Sequence, residues 1–152
     1  MADIAERTHS HLYETDEHAW IAQQIAALRA GDYAALDREN LIEFLISMVL
    51  RDERELESRL VVLLAHQFKM QHQPKRISRS WKLTNSEQQR AIRRLLKKLP
   101  SLAARADAVL AESIPDAIAL AREETGVKFD PEISGLSFQQ VMAFDPWAEG
   151  GA

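Results

Sequence analysis

The chain has 152 residues, with 19 Lys/Arg against 23 Asp/Glu for a formal net charge of −4 and 46% hydrophobic residues, the size and apolar content of one folded domain. It contains no cysteine, which excludes a disulfide framework, a thiol nucleophile and a cysteine-ligated zinc site. No apolar stretch reaches the roughly 18–20 residues a membrane helix needs, and the polar opening Met1 to Tyr13 is no secretory signal, so the expected location is the cytoplasm.

Good helix formers abound, Gly and Pro number five each, and β-branched runs are nearly absent, so the expected class is all-α. Residues 1–12 read as a loose leader. Thr15 or Asp16 can cap a first helix running to about Ala30, with Asp16 and Glu17 at the positive end of its dipole. Trp20, Ile21, Ile25 and Leu28 form its apolar stripe, and Gly31 stops it. From Asp37, the next cap, a helical pattern continues to about His72, with Leu41, Leu45, Met48, Leu56, Leu60, Leu63 and Leu64 on one face. The five consecutive charges Arg51 to Glu55 interrupt that face as a solvated turn of helix or a kink. Such a helix spans about 54 Å, whereas a compact chain of this length has a radius of gyration of about 15 Å. Part of it must project, bend or pack on a second subunit, which makes a homodimer the expected assembly.

Pro74 ends this helix because it lacks an N–H and disfavours helix at Gln73. Lys75 to Ser80 read as a basic connector to a second long helix, about Ser80 to Leu99, with Thr84 and Glu87 as a capping box for a later start. Trp81, Gln88, Ile92, Leu95, Leu96 and Leu99 give its inner face. Pro100-Ser101 starts another helix to about Glu112. Pro115 opens one more, ending at Thr125-Gly126. Residues 127–135 read as loop, and Ser137 with Gln140 caps a short helix near Phe138 to Phe144. From Asp145 the chain reads as a tail in which Trp147 can dock. The expected organisation is one domain over 13–147, with a loose tail at 148–152. Its fold is a helical bundle built on a long antiparallel hairpin that turns at Gln73-Pro74, with shorter flanking helices.

Charge is unevenly placed. Residues 74–98 hold nine Lys/Arg and one acid, Glu87, a local charge of +8 that leaves −12 for the remainder. One reading is a nucleic-acid surface with Trp81 as a stacking platform. The favoured reading is that the basic helix packs beside acidic helices of its own fold or of a partner, with Glu43, Glu53, Glu55, Glu57, Glu123 and Glu124 available.

Sites of chemistry are sparse. His66 and Lys69 lie one turn apart with Gln73 on the same side, a pattern open to acid–base work or anion binding; the simpler reading is a helix-interior His66 hydrogen-bonded across the hairpin to Glu87 or an Asp. Glu14 and His18 stand at i, i+4, but no third metal ligand is in view, and His9 and His11 lie in the leader. Trp20 and Trp81 read as core anchors, with Arg79 or Lys82 able to stack on the second. No nucleophile elbow and no phosphate loop occurs.

The run Leu63 to Pro74, followed by Arg79-Ser80-Trp81, resembles the bacterial family called domain of unknown function 29. So do Leu12 to Asp16 with Trp20, Asp37 to Glu43, Glu55 to Leu60, Pro100 to Leu102, Glu123 to Gly126 and Leu136 to Val141, so the resemblance covers about Leu12 to Trp147. It implies a small all-helical fold and no known activity. Its recurrent polar positions fall on Asp16, Asn40, Glu43, His66, Lys69, Arg79, Trp81 and Arg90, which form the candidate polar site. Phe44 and Ile46 stand where the family tends to carry acids, and Val49 where it tends to carry Gly, which widens the apolar surface of the long helix. The function expected is a self-associating, non-enzymatic helical interaction module without cofactor or metal. The alternatives are nucleic-acid binding through 74–98, or an enzyme using Glu43, His66, Lys69 and Arg90.

Overall fold

The computed structural model describes residues 11–148, and all regular structure there is helical. The chain groups into two compact units that divide between Arg51 and Asp52.

In the first unit residues 11–15 are already helical, so His11 and Leu12 lie in helix, and residues 1–10 of the expected leader lie outside the described residues. Helix α1 is Glu17–Ala30. Asp16 is its N-cap, accepting the Ala19 N–H, and Gly31 ends it in the left-handed conformation at φ 68°, where a Cβ would be strained. Helix α2 is Arg38–His72, unbroken through the charged run 51–55, and its residues 38–51 complete this unit. Glu53 meets Arg105 and Glu55 meets Arg59, so two charges of the run are spent in ion pairs that leave the helix intact. Trp20 is the single fully buried hydrophobic side chain of this unit among the described residues.

The second unit holds the main core. Residues 52–72 of α2 pack on helix α3, Arg79–Lys98. Side-chain partners at 59/88, 67/85 and 69/81 run in opposite order along the two helices, which is the antiparallel register of the expected hairpin. Pro74 opens a 3-10 turn, Pro74–Arg76, and Ser78 caps α3 by accepting the Trp81 N–H, so Thr84 sits inside the helix rather than at its start. Leu56, Leu60, Leu63, Leu64 and Phe68 meet Ile92 in one core. Asn85 and Gln89 are buried on α3, whereas Gln88 is half-exposed.

The break expected before Pro115 is absent. A short helix α4, Pro100–Ala103, is followed by one helix α5, Ala106–Thr125, with Pro115 inside it. Ala106, Val109, Leu110, Ser113, Ala117 and Ala121 make one continuous buried stripe through the proline. Pro115 and Ala111 are exposed, so the carbonyl deprived of its donor faces water. Residues 126–137 hold no helix, and Arg122 ties that segment back by donating to the Phe129 carbonyl. Helix α6, Phe138–Ala143, opens on the expected capping box of Ser137 and Gln140.

Candidate functional site

The eight family positions divide between the two units. Asp16, Asn40 and Glu43 lie in the first unit; His66, Lys69, Arg79, Trp81 and Arg90 lie in the second.

In the first unit the polar centre is Asp37, the residue before α2, whose carbonyl accepts the Leu41 N–H as expected of an N-cap while its side chain is used across the unit. Its Oδ2 accepts both the Trp20 indole N–H at 2.9 Å and an Asn40 amide N–H at 2.8 Å. Its own backbone N–H donates to Gln24 Oε1 at 2.8 Å. This network satisfies the buried indole and clasps α1 to the start of α2. Tyr13 packs on Trp20 with ring centroids 4.7 Å apart, and Phe44 packs on it at 5.6 Å. Burial, then the negative charges of Glu43, Glu17 and Asp37, raises the Tyr13 phenol above its usual value. Glu43 itself is exposed. Among the described residues no third ligand joins Glu14 and His18 in a metal-binding group.

In the second unit three family positions meet around one ammonium. Lys69 is only 3% exposed, and its Nζ donates to Glu124 at the end of α5. The same Nζ lies 3.3 Å from His66 Nε2 and 4.8 Å from the centre of the Trp81 ring. His66 Nδ1 is 2.8 Å from the Val62 carbonyl, so Nδ1 carries the proton and Nε2 is the acceptor for Lys69. Burial, then the adjacent Lys69 charge, lowers the His66 pKa below 6.5, against the opposing pull of the Val62 carbonyl and Glu124. Both imidazole nitrogens are therefore occupied, and the ammonium has an acceptor, a carboxylate and an aromatic face. The arrangement holds α2, α3 and the end of α5 together. His66 bonds within its own helix rather than to Glu87, and Lys69, not Arg79 or Lys82, covers Trp81.

Arg79 and Arg90 stand on the solvent side of α3. Among the described residues none of the nine bases of 74–98 is in an ion pair, although α3 packs beside α2, which carries Glu53, Glu55 and Glu57. Three side-chain features were not read from the sequence: the Glu124 partner of Lys69, the buried Gln67–Asn85 hydrogen bond of 3.0 Å and the buried Gln89; Trp147, which the sequence allowed to dock, does so on Ser86 of α3. A shallow cleft of the second unit is lined by Arg54, Glu57, Ser58, Val61 and Asp116, and no hydrogen bond or ion pair joins these side chains. No helix among the described residues is long and apolar enough to cross a membrane.

A family model described as domain of unknown function DUF29 matches residues 12–147. No curated protein and no solved structure matches the chain.

Proposed function

Since the chain belongs to the family described as domain of unknown function DUF29, whose description carries no activity, we propose from its own geometry that it is a self-associating helical interaction module. The carrying observation is the inverted first unit. Nine large hydrophobics of residues 11–51 are exposed while Trp20 alone is fully buried. On α2, Ile42, Leu45, Ile46 and Val49 recur at i, i+3, i+4 and i+7 and are 49–61% exposed. On α1, Ile25 and Leu28 add 42% and 51%. Monomeric proteins rarely leave an apolar stripe of that kind open.

A second copy of the first unit is the occupant that fits. Two helices cannot cover both of their apolar flanks, and two such helix pairs can make a four-helix bundle. An isologous pairing needs only the patch already present, used twice. Completing the burial of a half-covered aliphatic side chain is worth about 1 kcal/mol, so the six side chains support association at micromolar concentration. Light scattering after gel filtration at such concentrations is expected to give the mass of a dimer. Ile42→Glu with Ile46→Glu is expected to give a monomer whose helical circular dichroism is retained. A strict monomer for the unmodified chain across the micromolar range overturns the reading.

A further inference from the structure

The outer side of α3 repeats cations in line. Arg79, Lys82, Arg90, Arg93 and Lys97 fall at i, i+3, i+11, i+14 and i+18, which at about 100° per residue lie within about 60° of one line, with Arg94 beside it. The row is about 27 Å long at 1.5 Å per residue. Arg93 donates to the Met142 carbonyl, whereas Arg79, Arg90, Arg94 and Lys97 are exposed and have no side-chain partner among the described residues.

A second observation lies on the same row. Trp147 comes back from the tail and seats its indole there: Nε1 donates to Ser86 Oγ at 3.0 Å, and the Lys82 ammonium is 5.1 Å from the ring centre. Ser86 is at i+7 of the same line, so the indole stands between Lys82 and Arg90. The ring remains 45% exposed, in contrast to the wholly buried Trp20. It is a flat aromatic surface fixed in water among cations.

We propose that the outer face of α3 and Trp147 bind single-stranded nucleic acid, the cations taking phosphates and the indole stacking on a base. A duplex hides its base faces from the indole, and an acidic peptide offers it nothing flat to stack on. Its N–H is already tied to Ser86, so the ring is a fixed platform rather than an anchor free to enter a lipid headgroup layer. Lys82 sits on a flexible stem and can exchange the ring for a phosphate as a base arrives. The chain's acidity does not oppose this. Residues 52–152 hold 15 bases and 14 acids, a charge of +1, and the surplus of acid, −5, sits in residues 1–51. The row lies wholly in the second unit, so the proposal does not depend on self-association through the first.

The test is fluorescence anisotropy of labelled oligo-dT and oligo-U of about 20 nucleotides, longer than one stacking site, titrated with the full chain. Competitors are a duplex of the same length and phosphatidylserine vesicles. Five engaged cations imply that log K falls with log salt at a slope of about −3.5. Arg90→Glu with Arg94→Glu is expected to weaken binding at least tenfold and flatten that slope. Trp147→Ala is expected to weaken it about tenfold and leave the slope unchanged, because the indole neutralises no phosphate. No binding at low salt overturns the proposal. So does a Trp147→Ala chain that binds like the original, or a duplex or vesicle that competes as well as the single strand.

Discussion

Lys69 shows what one side chain can hold. Its ammonium is buried, and Glu124 supplies the compensating charge while remaining 41% exposed itself. Removing one partner of a fully buried pair costs about 3–5 kcal/mol, and the exposure of this carboxylate reduces the figure. Glu124→Ala is expected to destabilise the fold by about 2 kcal/mol, read as a lower urea midpoint at unchanged slope. Lys69→Met keeps the stem and removes the charge, so it is expected to cost less. His66 sets a pH dependence beside it. Its folded pKa lies below the unfolded 6.5, so the unfolded chain binds more protons in the window just beneath 6.5. Stability is therefore full above that value and falls as pH drops through the window. His66→Gln is expected to remove this part of the pH profile; an unchanged profile would mean that His66 is not its source. The sequence placed His66, Lys69 and Trp81 close together because they share one hairpin turn. It could not pair Lys69 with Glu124, 55 residues away, because helical spacing informs only about neighbours on one helix.

Helix α6 shows the same limit at the scale of an element. Its start was legible, since Ser137 and Gln140 form a capping box from local spacing alone. Its end was legible to within one residue, expected near Phe144 and found at Ala143, but its seat was not, because its carbonyls are satisfied from elsewhere. Gln67 and Gln89 both donate to the Val141 carbonyl, Gln89 also to that of Phe144, and Arg93 to that of Met142. A helix of six residues has too few internal bonds to stand alone, so these buried amides of α2 and α3 decide its place. Gln89→Leu keeps the bulk and deletes both donations, and it is expected to cost about 2 kcal/mol through carbonyls that lose a partner. Ser137→Ala is expected to cost about 1 kcal/mol. Hydrogen exchange should show α6 opening in either variant while α2 stays protected; loss of protection in α2 at the same rate would contradict this local account. Pro115 erred in the opposite direction. A proline is the strongest local stop signal, yet the burial of Leu110, Ser113 and Ala117 on either side outweighs it while the freed carbonyl reaches water.

At the scale of the whole chain the two units differ in what stabilises them. The class and the hairpin were legible because a 3.6-residue apolar period, Gly31 and Pro74 act locally. The apolar period of α2 ran on from Leu41 to Leu64 without saying which part would be covered. The structure buries Leu56, Leu60, Leu63 and Leu64 fully and leaves Leu45, Ile46 and Val49 more than half exposed. Residues 52–148 have a core of aliphatic and aromatic side chains, whereas residues 11–51 have Trp20 and its clasp. A unit with so small a core is marginal alone, and anything that binds its folded form stabilises it by mass action. If the binder is a second copy, the first unit should melt at a temperature that rises with protein concentration, each tenfold step adding up to about 1.4 kcal/mol for the pair. The core of the second unit has no such dependence. Hydrogen exchange across a concentration series reads the units separately, through amides of α1 and of α3. Protection that climbs with concentration in α1 alone is the expected result. Equal, concentration-independent protection in both helices would mean that the exposed stripe of α2 takes no part in self-association.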